Sequence, residues 1–252
     1  FTNRLRYFIE ISYNGSNYHG WQRQPSQTSI QERFEDCISK ILSSNISLTA
    51  AGRTDTGVHA KKMFAHFDYD KEFDCLKTIH QLNSFLPNDI SVRNIFRVND
   101  DDHARFSALS RTYRYVLINR KDPFMQKRAY LLINKLDIKK MNEACKYLLS
   151  NDDFKSFSKS KTDVKTYICD IQEASLTQVD DDTFIFNIKA NRFLRNMVRA
   201  IVGTLIEVGQ NIITIDQFND IILSKNRANA GYSVPAHGLY LTDVEYDINE
   251  IT

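Results

Sequence analysis

The chain has 252 residues, 42% of them hydrophobic and 25% charged, and a formal net charge of +2. That apolar mass supports one large domain or two coupled halves, and the mixed charge excludes a disordered chain. The near-neutral total hides segregation: Asp100–Asp102 and Asp180–Asp182 gather acids in turn-like runs, while bases cluster at Arg4/Arg6, Arg111/Arg114, Lys159 to Lys165 and Arg192/Arg195/Arg199, the pattern of a basic cleft on a neutral body.

In chain order, Leu5, Tyr7, Ile9 and Ile11 alternate with Arg6, Phe8 and Glu10, which predicts a strand ending at Asn14-Gly15. A loop from Tyr18 to Pro25 follows. Ser29 with Glu32 three residues on marks a capped helix whose apolar face is Ile30, Phe34, Cys37, Ile38, Ile41 and Leu42. Ile46 to Ala51 reads as a short strand running into a Gly52–Gly57 loop, and Met63 to Tyr69 as another strand. Asp74 caps a helix carrying Leu76, Ile79 and Leu82, and Ile90 to Val98 returns as a strand.

The second half uses the same grammar. Thr112 to Ile118 is a strand, and Asp137 caps a helix with Ile138, Met141, Cys145 and Leu148. Val164 to Leu176 and Thr183 to Ala190 are consecutive strands that must pair antiparallel across the acidic turn. Phe193 to Val208 and Asp216 to Leu223 are helices, and Leu239 to Tyr246 is a final strand. The expected fold is α+β: two similar halves, residues 1–103 and 104–252, form a mixed or antiparallel sheet flanked by helices. Together they make one continuous catalytic unit with a cleft at their junction.

No apolar stretch approaches the ~18 residues of a membrane helix and no signal-peptide pattern opens the chain. Cys37, Cys75, Cys145 and Cys169 lack zinc or redox spacing; Cys37 and Cys145, on the apolar faces of predicted helices, read as buried thiols, which fits a reducing, cytoplasmic setting. The histidines are not paired at helical spacing, so neither a metal nor a cofactor is expected.

Ala51-Gly52-Arg53-Thr54-Asp55-Thr56-Gly57-Val58-His59-Ala60 is the densest polar feature. It lacks the Gly-Lys-Ser/Thr of a phosphate loop and the third glycine of a dinucleotide fingerprint. Asp55 is either a solvated turn residue or a carboxylate kept ionised beside a cation to act as a nucleophile. Arg199, among Met197, Val198, Ile201 and Val202, is either a snorkelling side chain or a buried partner for a carboxylate. In His103-Ala104-Arg105-Phe106-Ser107-Ala108 and Ser110-Arg111-Thr112-Tyr113-Arg114-Tyr115, arginines and aromatics interleave. That suits phosphate contact and base stacking, or equally an exposed edge strand.

Taken together and in order, these segments resemble the TruA-type tRNA pseudouridine synthases. The resemblance also runs through Tyr13-x-Gly15-x-x-Tyr18-x-Gly20-Trp21-Gln22-x-Gln24, Asp153-Phe154-x-x-Phe157, Lys189-Ala190-Asn191-x-Phe193-Leu194-x-x-Met197-Val198-Arg199 and Gly238-Leu239-Tyr240-Leu241. It implies a cofactor-free isomerisation of uridine at tRNA positions 38, 39 and 40, by a homodimer that binds tRNA and no membrane. It further implies that Asp55 is the nucleophile, Arg199 its basic partner and Tyr113 the ring that stacks on the target uracil. Arg53 is implied in RNA binding and base flipping, Leu239 in walling the base pocket, and His103, Ala104, Arg105, Phe106, Lys161 and Lys165 in RNA contact. Asp102 stands where many members carry an aromatic, and Thr56 where Ala is commoner. A catalytically silent RNA-binding protein of the same fold is the alternative.

Overall fold

The computed structural model describes residues 4–160 and 164–247. In chain order its elements are β1 (Leu5–Tyr13), α1 (Ile30–Ile41), β2 (Thr49–Ala50), β3 (His59–Tyr69), α2 (Cys75–Phe85), β4 (Ile90–Arg97), β5 (Ser110–Ile118), β6 (Tyr130–Leu131), α3 (Ile138–Ser150), β7 (Ile171–Gln178), β8 (Thr183–Ala190), α4 (Met197–Gly209), α5 (Ile215–Leu223) and β9 (Leu239–Glu245). Nine strands and five α-helices among the described residues make the fold α+β, as the sequence predicts. They belong to two compact units, Phe1–Leu109 with Leu241–Thr252, and Ser110–Tyr240.

In the first unit the strand order is β4-β1-β3-β9, with β2 also on β3. β1 pairs antiparallel with both β3 and β4. The predicted alternation holds for Leu5, Tyr7, Ile9 and Ile11, but Phe8 is also fully buried. Its ring meets Phe64, Phe96 and Tyr246 at centroid distances of 6.4, 6.0 and 5.3 Å, so β1 has a second, aromatic core on its other face. α1 is capped as predicted, Ser29 Oγ accepting from the Glu32 amide at 3.2 Å, and buries Ile30, Phe34 and Ile38.

The predicted strand over 46–51 shrinks to β2. The cause is a buried polar pair on α1: Glu35 Oε1 accepts from the Leu48 amide at 2.8 Å, and Gln31 Nε2 donates to the Leu48 carbonyl at 3.1 Å. Side chains thus take the backbone groups that a sheet would need. β3 conversely starts at His59, earlier than predicted, because Ala60 and Met63 pair with Tyr13 and Ile11 despite Lys61 and Lys62 between them. α2 turns Thr78 and Leu82 inward and leaves Leu76 73% exposed.

In the second unit the order is β5-β8-β7, and β6 lies parallel to β5, which makes that sheet mixed. β7 and β8 form the antiparallel hairpin predicted across the acidic turn. β7 begins at Ile171, not Val164. The Phe154 amide donates to the Tyr167 carbonyl and the Cys169 amide to that of Asp152, so residues 167–169 are engaged with 152–154 instead. α3 packs along β7 and against α4 and α5. α4 starts at Met197 rather than Phe193, behind Asn196 at φ +67°, and is buried along its length except at Arg199 and Glu207. α5 starts at Ile215, one residue ahead of the predicted Asp216, and is capped by Thr214 with a reciprocal Gln217 contact.

Candidate active site

Asp55 lies in the loop between β2 and β3, half-buried, between buried Thr54 and exposed Thr56, with Arg53 exposed. Four hydrogen bonds fix this loop and the first residue of β3 to the end of β1 and the segment after it. The Trp21 amide donates to the Thr54 carbonyl at 3.1 Å and the Gly57 amide to the Tyr18 carbonyl at 3.3 Å. The Tyr13 hydroxyl and Thr54 Oγ1 share a bond of 2.8 Å, and the Gly15 amide donates to His59 Nδ1 at 3.0 Å. Within the loop, the Val58 amide donates to the Asp55 carbonyl at 3.1 Å.

Two glycines make the approach possible. A Cβ on Gly20, which sits at φ +84°, would lie 2.4 Å from the Thr54 carbonyl oxygen, and one on Gly15 would lie 1.9 Å from that of Val58. Only residues without a side chain let the backbones touch there. The spacing Tyr13-x-Gly15-x-x-Tyr18-x-Gly20-Trp21 is therefore the sequence form of a clamp on the Asp55 loop. The loop's conformation is set by buried contacts, while Asp55 itself is half-buried rather than enclosed.

In the second unit, Tyr113 is half-buried on β5, opposite Ile188 of β8. Phe193 meets its ring edge-on at 5.1 Å and 86°, which fixes the ring plane. Arg199 is half-buried on the first turn of α4, and its Nε donates to the Val234 carbonyl at 2.7 Å while the Val234 amide donates to the Arg199 carbonyl at 3.2 Å. The segment carrying Val234 crosses α4 closely, since a Cβ on Gly203 would lie 1.8 Å from the Tyr232 carbonyl oxygen. The Tyr115 hydroxyl donates to the Pro235 carbonyl at 2.7 Å, and Gly238 abuts the Tyr115 ring. Leu239 follows, 6% exposed. The structure thus gathers Arg199, Tyr115 and the approach to Leu239 along one strap, residues 227–239, which local sequence pattern does not disclose.

The 102–106 segment is a tight turn in the first unit. Asp102 is a turn cap, its Oδ2 accepting from the Asn99 amide at 2.9 Å while its carbonyl accepts from Arg6 Nη1 at 3.0 Å. Ala104 is fully buried; its amide donates to His66 Nδ1 at 3.1 Å and its carbonyl accepts from the Tyr246 hydroxyl at 2.5 Å. His103 Nδ1 accepts from the Arg105 and Phe106 amides at 3.1 and 3.3 Å. The turn displays Arg105 and a 75% exposed Phe106 with the guanidinium 5.6 Å from the ring centroid. Lys165 is exposed, and Lys161 lies outside the described residues.

His66 was not singled out by the sequence, yet it anchors this turn. Burial, then the positive charge of Arg6 and the neighbouring His103, lower its pKa to about 4, against a small opposing effect of Asp68. A histidine whose folded pKa lies below its ordinary value binds fewer protons folded than unfolded. Its contribution to stability is therefore complete above pH ~6.5 and is lost as pH falls towards about 4. The difference in urea midpoint between wild type and His66→Leu is expected to shrink over that window; a pH-independent difference would contradict the assignment.

Among the described residues no group of three or more His, Cys, Asp or Glu is arranged to hold a metal ion, and no helix is long and apolar enough to cross a membrane. With the geometry in view, comparison with known proteins places the class first: residues 144–247 match a family described as tRNA pseudouridine synthase. Over nearly the whole chain there are closer matches. "tRNA pseudouridine synthase A" of Bacteroides fragilis is 51% identical over 242 residues, 96% of each chain. The proteins of that name from Parabacteroides distasonis and Porphyromonas gingivalis are 50% and 48% identical, covering 96% of this chain and 96% and 97% of their own. The chain belongs to the tRNA pseudouridine synthase A family of isomerases, and the resemblance drawn from its motifs holds.

Proposed function

We propose that this chain isomerises uridine to pseudouridine in the anticodon stem-loop of tRNA, at positions 38, 39 and 40, with Asp55 as nucleophile. The observation that carries the reading is Asp55 itself: a half-buried carboxylate in a loop whose backbone is held at Thr54 and Gly57 by the Gly15–Trp21 segment, in a chain of this family. A nucleophile needs a fixed backbone and a side chain that is not sealed in the core.

The reaction balances without a co-reactant. The target base leaves the stack at a cost of a few kcal/mol, offset by the protein surface that receives it. A carboxylate oxygen of Asp55 adds to C6 of the uracil or to C1′ of the ribose, and the N1–C1′ bond breaks. The uracil turns, C5 bonds to C1′, and the bond to Asp55 is released. The C5 hydrogen leaves as a proton and N1 gains one, so the product is an isomer. Arg199 is the basic partner of the nucleophile. Tyr113 stacks on the uracil and assists removal of the C5 proton, and Leu239 walls the base. Arg53 with the His103–Phe106 turn and Lys161 and Lys165 holds the RNA, the turn by presenting Arg105 and Phe106 for phosphate and base contact. The chain acts in the cytoplasm as a homodimer; free Cys145, whose burial pushes its thiol up to about 12, suits a reducing compartment.

The test follows from the C5 proton. tRNA carrying tritium at uridine C5 releases tritium to solvent in step with pseudouridine formed, and tRNA with cytidine at the three positions releases none. Binding without any release would leave only the RNA-binding reading.

A further inference from the structure

We infer that His59 is a positioning residue for the proposed nucleophile, acting as a fixed hydrogen-bond acceptor; the inference rests on the reading of Asp55 above. His59 opens β3, four residues beyond Asp55, and is 2% exposed. Its Nδ1 accepts from the Gly15 amide at 3.0 Å. An imidazole nitrogen that accepts an N–H carries no proton, so the ring is neutral and its hydrogen is on Nε2. The buried ring is an acceptor at one set place, and neither a charged histidine nor an apolar side chain of the same size can replace it.

The Gly15 amide is the donor this acceptor serves. Gly15 is buried, with its Cα against the Val58 carbonyl so closely that a methyl group would lie 1.9 Å from that oxygen. Without the Nδ1 acceptor the amide would be buried without a partner, and the segment would shift to find water. The shift transmits directly. Val58 is bonded through its amide to the Asp55 carbonyl at 3.1 Å, and Gly57 through its amide to the Tyr18 carbonyl, three residues past Gly15. The other clamp points, Trp21 to Thr54 and Tyr13 to Thr54, act on the N-terminal side of Asp55. His59 and Gly57 hold the C-terminal side. Loss of the His59 bond leaves Gly57 alone to hold the C-terminal side while the N-terminal side keeps both its bonds, so the expected result is a displacement of the nucleophile rather than an unfolding.

The experiment compares His59→Leu, His59→Asn and His59→Gln with wild type and Asp55→Asn on unmodified tRNA, measuring single-turnover rate, tRNA affinity and thermal midpoint. The Asn amide oxygen can occupy the place of Nδ1, whereas that of Gln reaches one bond further. His59→Leu is expected to lower the rate by about ten- to a hundredfold, the scale of a displaced reacting group, with tRNA affinity within about twofold. His59→Asn is expected to restore most of that rate and His59→Gln to restore little. Should His59→Leu not fold, the Asn-to-Gln rate ratio of about tenfold carries the test. Equal rates for Asn and Gln, or a loss in affinity that matches the loss in rate, overturn the positioning role. A wild-type rate in Asp55→Asn overturns the nucleophile reading instead, so the two failures are distinct.

Discussion

Asp55→Asn is expected to lower turnover on tRNA by about 10³-fold or more, the scale seen when a nucleophile is removed from a constellation that acts as a unit, while tRNA affinity changes by less than about twofold. The expectation is large because Asn has the shape of Asp and leaves the loop intact. The backbone of Asp55 to Val58, the backbone and side chain of Thr54, and Gly57 to Tyr18 tie the loop in place, and these bonds persist in the Asn variant. What is lost is the negative charge and the ability to form and release a covalent bond. Single-turnover conversion with binding measured separately checks it; conversion within about tenfold of wild type would remove Asp55 from the covalent role.

Gly203→Ala is expected to be the most damaging small substitution in the second unit. The new methyl would lie 1.8 Å from the Tyr232 carbonyl oxygen and 2.9 Å from its carbon, a contact no side-chain rotation relieves. α4 is buried around Gly203, and the strap is tied to it by Gly231 N to Thr204 Oγ1 at 2.9 Å, Arg199 Nε to Val234 O at 2.7 Å and Asn196 Nδ2 to Ser233 Oγ at 2.6 Å. Either the helix or the strap must move. Overpacking of this kind costs about 1–3 kcal/mol or more, which for a chain of this size lowers the melting midpoint by roughly 2–12 °C. The strap holds Arg199, so turnover is expected to fall in the residual folded protein too. Calorimetry and rate at a temperature well below the midpoint separate the two effects; an unchanged midpoint would mean that the strap is not seated on α4.

Much of the fold is legible in the sequence where local rules decide. The caps at Ser29, Asp74 and Asp137 are in place, each side chain accepting from the amide three residues on. The β7–β8 hairpin follows from two apolar runs around Asp180–Asp182. What is not legible depends on partners distant in the chain. Leu48 is drawn out of a strand by Glu35 and Gln31. Residues 167–169 are engaged by 152–154 before β7 begins. The chain's return from Leu241 to the first unit, where β9 lies beside β3, is a non-local pairing that no periodicity encodes.

The candidate site divides in the same way. Asp55, Tyr113 and Arg199 stand in motifs whose ordered co-occurrence identifies the family. Composition and spacing alone leave Asp55 as an acid in a glycine-flanked loop. The reason its neighbours are Gly15, Gly20 and His59 is steric and hydrogen-bonding, and it becomes visible only when the two segments are seen in contact. His66 and the strap ahead of Gly238 carry no sequence signal: one is a histidine within a run of apolar strand residues, the other a loop of ordinary composition.

The most direct measurement is a nucleotide-resolution map of pseudouridine in unmodified tRNA after incubation with wild type and with Asp55→Asn. Wild type is expected to form new pseudouridine at positions 38, 39 or 40, and the variant none. Pseudouridine formed equally by both, or formed by wild type only outside the anticodon stem-loop, would contradict it.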